Sequence, residues 1–433
     1  MRSPRSTATV PGTGTGTAAA NGTEPGGAPT RDAVDDGTAP QIATAGETAA
    51  GDAATAGGAT AGGATGWEPR VWLGAPAPGG LALPAARPSP SWLYAPRGVW
   101  LGDDLLVVAD SGNHRVLIWH GRPARDGAPA DVVLGQADAS SEGPAAGGRG
   151  PERGMHLPTG IVVTDGRLVV ADAWHHRILV WNTVPTATDT PPDLVLGQPD
   201  AASVRENRGG PCGPTTFYWP FGVAVIGGRF YVADTGNRRV LGWWGGLPAS
   251  PDQAPDLILG QPDPTSREDN RGGPAGPATF RWPHDVAGNA GRLLVADAGN
   301  HRLLGWTPHP DADTAAGLAL GQADLTGCGE SPYAPGRADT LRFPYAADCD
   351  GDLLAVADTA NNRILLWDGL PQVTGAAATA VLGQPTFADT GENRWSGVTA
   401  DTFCWPYGLS LSDGRLAVAD SGNNRVVIWE RRP

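Results

Sequence analysis

The residues of this chain best equipped for chemistry are His284, Asp285 and Asp348. An imidazole and two carboxylates can hold a divalent cation, which acts as a Lewis acid on bound water and supports a hydrolase or lyase. A second set is spaced rather than clustered. Arg97, Thr159, Phe221, His284, Tyr345 and Tyr407 each follow a proline, at Pro96, Pro158, Pro220, Pro283, Pro344 and Pro406. A mixed aromatic and polar set of this kind can line a small-molecule pocket. A third set lies in two near-copies, Asn207-Arg208-Gly209-Gly210-Pro211 and Asn270-Arg271-Gly272-Gly273-Pro274, with Arg205 and Arg267 just before them. These six arginines and asparagines suit a protein partner. No nucleophile stands beside a base and no glycine-rich loop is built to cradle phosphate. Cys212, Cys328, Cys349 and Cys404 form no CxxC pair or zinc-ligand spacing. No catalytic residue and no cofactor is assigned; a divalent metal at the histidine–aspartate set stays open.

The elements that must position these residues are repeats. Trp119, Trp181, Trp243, Trp306, Trp367 and Trp429 are separated by 62, 62, 63, 61 and 62 residues. Nine residues before each tryptophan stands an aspartate (Asp110, Asp172, Asp234, Asp297, Asp358, Asp420), and fourteen before each aspartate stands one of the prolines. A strict period of this length signals a repeat architecture. Each unit reads as four strands, shown by the third: strand a after Pro220, strand b ending at Asp234, strand c from Arg239 to Trp243, and strand d over Leu257-Ile258-Leu259-Gly260-Gln261. The b–c turn, Asp234-Thr235-Gly236-Asn237-Arg238-Arg239, carries Gly and Asn to supply positive φ, and Trp174 and Ala360 replace that glycine in repeats two and five. The turn arginine, present six times, can pair with an aspartate of its own or a neighbouring unit. The tryptophans read as wedges between units.

The last unit ends at Trp429 without a strand d, and the missing strand stands at the other end as Val71-Trp72-Leu73-Gly74. Joining the two closes a ring and removes the exposed sheet edges. The expected fold is therefore an all-β, six-bladed β-propeller of four-stranded blades over residues 67–433. From the strand-d glutamine to the next proline is 22 residues in all five complete units, a constancy that predicts ordered loops. These loops thicken the face they share with the b–c turns, and loops on a rigid scaffold commonly carry binding. Residues 1–66 are Gly, Ala, Thr and Pro with scattered charges and read as a disordered extension.

The phrase Pro-x-Gly-Val, an apolar strand, then Ala-Asp-x-Gly-Asn-x-Arg-Val resembles the NHL repeat family. The resemblance covers residues 67–433 and implies the propeller fold; that family includes enzymes, RNA binders and protein-interaction scaffolds. In the similar six-bladed lactonases and sugar-acid hydrolases, inner-strand acids and asparagines from several blades hold the metal. Here the inner strands of blades one to three offer no such ligand. The resemblance extends to bacterial NHL proteins encoded beside redox or hydrogenase genes in actinobacteria and implies an accessory or assembly role. An actinobacterial source also fits the absence of lysine among the 433 residues.

Formal charge is −14. An acidic balance argues against nucleic acid and anionic membranes as main partners. No apolar run reaches membrane-span length and no signal-peptide core opens the chain, so a cytoplasmic location is expected. His114, His176 and His301 share one repeat position with Arg238, Asn362 and Asn424, which reads as a surface turn position tolerant of polar residues. The first functional reading is a non-enzymatic interaction or assembly scaffold using the loop-thickened face; the alternative is a metal-dependent hydrolase or lyase at the channel mouth.

Overall fold

Alternating apolar residues, two-residue Gly-rich hairpins and the recurring aspartate turn build the same four-stranded antiparallel sheet six times. The computed structural model describes residues 66–75, 88–330 and 333–432. The expected disorder of residues 1–66 therefore concerns residues outside those described, apart from Gly66. In the third blade strand a is Pro220–Ile226, strand b Arg229–Asp234, strand c Arg239–Trp243 and strand d Leu257–Leu259. Gly227 and Gly228, both at positive φ (59° and 78°), turn strand a into strand b.

The blades stack through their side chains. Val169, Ala171, Ile178 and Val180 of blade two meet Val223, Phe230, Val232, Leu241 and Trp243 of blade three in one buried cluster, and a comparable cluster fills each of the other junctions. The six repeat tryptophans are all buried here. Five of them also hold the c–d connection, their indole N–H groups donating to Ala128, Thr190, Gln253, Thr314 and Ala376 carbonyls.

The ring closes as the sequence predicts, and more firmly than an ordinary blade. Strand Trp67–Gly74 pairs with Arg425–Arg431 over seven residue pairs, whereas strands c and d of the other blades pair over three. The N-terminal strand runs on beside strand c where the other blades turn away into a loop. Trp429 consequently lacks the loop carbonyl its five counterparts use, and its indole nitrogen is buried without a partner.

The b–c turn differs in one respect from expectation. Positive φ falls on the residue just before the turn arginine (His114, His176, Arg238, His301, Asn362 and Asn424), not on the glycine. The glycine is there for space. A Cβ on Gly236 would lie 2.4 Å from the Tyr218 carbonyl oxygen, to which the Gly236 amide donates at 2.7 Å. Trp174 and Ala360, the two substitutes, make the same bond at 3.2 Å.

Candidate functional site: the channel mouth and the loop face

Strand a is the innermost strand, so the residue after each proline stands at the mouth of the central channel. Its carbonyl packs against the preceding blade's glycine: a Cβ on Gly98 would sit 1.9 Å from the Thr159 oxygen, and one on Gly160 2.4 Å from the Phe221 oxygen. That close approach is the physical reason for the Pro-x-Gly phrase.

Five of the six predicted mouth residues form a continuous ring. Phe221 meets His284 edge-on at 4.5 Å, His284 stacks on Tyr345 at 4.3 Å, and Tyr345 lies 4.5 Å from Tyr407. The Arg97 guanidinium sits 5.0 Å from the Tyr407 ring centre. The sixth, Thr159, is too small to bridge its neighbours and is buried, its hydroxyl donating to the Phe221 carbonyl. Trp174, from the b–c turn of the same blade, fills the gap. Its indole lies 5.4 Å from the Arg97 guanidinium and 5.6 Å from Phe221, closing the circle. The ring surrounds a cavity of about 60 Å³ that Asp285 also lines.

His284, Asp285 and Asp348 do not converge. Burial, with the nearby Arg97 charge, pushes the His284 imidazole down to about 3, so it is neutral. Asp285 accepts the amide N–H groups of Val286 (2.9 Å) and, across the blade junction, Ala347 (3.2 Å). Asp348 accepts those of Cys349 (2.8 Å) and, in the next blade, Leu411 (2.8 Å). Ser410 does the same for Leu101 at 3.1 Å. These side chains cap amides along the inner edge of the ring, one blade to the next. Burial pushes Asp285 up to about 7 and Asp348 to about 6. Among the described residues, no three His, Cys, Asp or Glu side chains are grouped so as to hold a metal ion.

The long loops are ordered by buried polar bonds. Each turn arginine pairs with the aspartate of its own blade, Nε to Oδ2 at 2.7–2.9 Å. Asn207 and Asn237 exchange side-chain hydrogen bonds at 3.1 and 2.9 Å, with the Thr216 hydroxyl donating to Asn207. The pairs Asn270–Asn300 and Asn393–Asn423 repeat this. Arg208 donates to the Gly197, Thr215 and Pro251 carbonyls and pairs with Asp252; Arg271 donates to Gly260 and pairs with Asp313. Of the six loop residues singled out in the sequence, Asn207, Arg208, Asn270 and Arg271 thus hold the loops in shape, while Arg205 and Arg267 stand exposed. Trp395 is also exposed, at 81%.

The position of His114, His176 and His301 is not a tolerant surface site. His301, Asn362 and Asn424 are buried. Each of the three histidines accepts a backbone N–H from the next blade through Nδ1. That contact spans 42–43 residues and leaves no local signal in the sequence.

Three segments of the chain, residues 155–181, 280–306 and 403–429, match the NHL repeat family. They cover the entry segment and strands a, b and c of blades two, four and six, and the chain carries NHL repeats in a six-bladed β-propeller. Solved structures similar to it include the WD40 β-propeller domain of Doa1 (11% identity, TM-score 0.44, 85% of this chain and 98% of that one). Others are a nidogen/laminin complex (14%, 0.40, 73% and 84%) and virginiamycin B lyase from Staphylococcus aureus (10%, 0.36, 78% and 94%). These likenesses concern the fold alone. No curated protein sequence matches the chain. No helix among the described residues is long and apolar enough to cross a membrane.

Proposed function

We propose that this NHL-repeat propeller is a non-enzymatic interaction module that holds a protein partner on its loop face, centred on the channel mouth. The observation that carries the reading is the closed ring of Arg97, Trp174, Phe221, His284, Tyr345 and Tyr407. Trp174, Tyr345 and Tyr407 are partly exposed around the buried Phe221 and His284, and aromatic side chains held on a rigid frame offer contact area at low entropic cost and are enriched at protein interfaces. The frame is rigid because buried ion pairs and asparagine pairs hold the surrounding loops. Exposed Arg205 and Arg267 supply charge at its rim. Among partners, a component of a redox or hydrogenase system is the class that the sequence resemblance implies.

The test is purification of the tagged full-length chain from its source, with bound species identified by mass spectrometry, beside the variants Trp174→Gly and Tyr345→Ala. A stoichiometric protein that binds the parent and is lost from both folded variants supports the reading. A partner retained equally by all three moves the interface off the mouth. A chain that carries a metal ion or small molecule and no protein overturns it in favour of an enzyme.

A further inference from the structure

Each blade is entered through a residue that precedes its proline and yet has left-handed backbone: Ala95, Leu157, Trp219, Trp282, Phe343 and Trp405, with φ between 44° and 57°. The conformation is disfavoured for any side chain with a Cβ, and a following proline narrows the choices further. Five of these residues are held by one contact from the preceding blade. The Leu157, Trp219 and Phe343 amides donate to Nδ1 of His114, His176 and His301 at 3.2, 3.1 and 3.2 Å. The Trp405 and Ala95 amides donate to Oδ1 of Asn362 and Asn424 at 2.9 Å. At the remaining junction the equivalent residue, Arg238, has no acceptor to offer and pairs with Asp269.

We propose that the three histidine contacts are acid-released latches: protonation of His114, His176 and His301 unfastens the junctions between blades one and two, two and three, and four and five, while the asparagine junctions stay closed. A backbone N–H can only donate, so each Nδ1 must present its lone pair and the single ring proton must sit on Nε2. A second proton would set one N–H against another. The asparagine carbonyl performs the same task and does not titrate between pH 4 and pH 8.

The surroundings hold these rings neutral. His114 lies edge-on to His156 at 5.1 Å, with Asp172 and His175 beyond. His176 packs against Tyr218 and Trp219 and feels Asp172, His175 and His156. His301 lies against Phe343, with Glu330 3.9 Å from Nε2 and Arg342 and Arg281 nearby. Asp172 and Glu330 favour protonation; burial and the neighbouring cations oppose it and prevail, and each histidine is pushed down to about 4. A histidine lowered in the folded state contributes stability that is complete above its unfolded value of 6.5 and is lost as pH falls through about 4. Trp219 touches Trp174 and Phe343 lies beside Tyr345, so a released latch loosens the rim of the aromatic ring. The latches themselves do not depend on the interaction reading above.

The experiment is amide exchange in the full chain between pH 7 and pH 5, corrected for intrinsic rates. A histidine that titrates at about 4 when latched and normally when open makes opening about 20-fold more favourable over that range. Protection of the Leu157, Trp219 and Phe343 amides should fall by that factor while that of Trp405 and Ala95 stays within about twofold. The variant His114→Asn/His176→Asn/His301→Asn should keep its protection. Equal behaviour of all five amides, or the same acid sensitivity in the asparagine variant, would overturn the proposal. If the whole domain unfolds in acid, the variant must unfold at a lower pH than the parent; coincident midpoints also overturn it.

Discussion

Asp234 and Arg239, five residues apart, form an ion pair sealed from solvent, with Oδ2 and Nε 2.8 Å apart and both side chains 0% exposed. The pair reaches in three directions. Asp234 Oδ1 accepts the Tyr218 amide at 2.8 Å, and the arginine donates back to the Gly213 and Thr216 carbonyls and forward to that of Pro264. One guanidinium therefore ties strand c to the loop before its blade and the loop after it. The arrangement recurs in the other blades. At Asp110, Asp234, Asp358 and Asp420 burial outweighs the arginine and raises the carboxyl. At Asp172 burial also pushes up, but His175 and Arg177 together bring it down to about 2.

Removing one member of such a pair leaves the other charge buried and unmatched, which costs about 3–5 kcal/mol. Arg239→Ala should lower the unfolding free energy by that amount, and Asp234→Ala/Arg239→Ala should cost less than the sum of the single changes. Additive costs in urea denaturation would mean that the two groups act through separate contacts.

Trp395 occupies a left-handed position (φ 55°) where the equivalent loops have Gly209 (77°) and Gly272 (75°). Its indole rests against Gly391 but is otherwise in solvent. Trp395→Gly should raise stability by about 1 kcal/mol, because backbone strain is relieved and little buried surface is lost. A lower thermal midpoint would show instead that the Gly391 contact outweighs the strain.

The inner-edge carboxylates predict a pH dependence opposite to that of the histidines. Asp348 is raised from 3.8 to about 6, so the folded state holds a proton that the unfolded chain has released. Its contribution to stability is greatest below pH 4 and is lost as pH rises from about 4 to about 6, by at most about 3 kcal/mol. Ser410, at the same place in the next blade, caps its amide with a hydroxyl. Asp348→Ser should therefore keep a cap and flatten the fall between pH 4 and pH 6. An unchanged slope would place the proton elsewhere.

The frame was legible because it is periodic. The blade count, the strand order and the closing strand at Val71–Gly74 follow from spacings that any sidedness of packing must respect. Five of the six mouth residues were legible for the same reason. Trp174 was seen only as a departure from glycine, because its place in the ring depends on a neighbouring blade and on how little space Thr159 fills. The roles of His114 and Asp348 were hidden by the same physics. Each bonds to an amide in the following blade, and backbone amides carry no residue signature. Asp285 and Asp348 looked like metal ligands because a carboxylate reads the same whether it caps an amide or binds a cation.

Closure by the N-terminal strand gives the last prediction. Strand Trp67–Gly74 brings Trp67 and Leu73 into the core and pairs the full length of Arg425–Arg431. A chain beginning at Pro88 would leave that strand as an open, apolar edge, with Trp429 facing solvent. It should lose cooperative unfolding and self-associate, whereas a chain beginning at Gly66 keeps the seven pairs. A synthetic peptide spanning Gly66–Ala75 should restore the cooperative transition to the Pro88 form. Recovery must fail when Leu73 in the peptide is changed to Asp, because that side chain is 0% exposed and an unpaired carboxylate cannot be buried there without a cost of several kcal/mol. A Pro88 form that melts like the parent would mean that five blades and a three-stranded sixth suffice, and that the long pairing serves something other than closure.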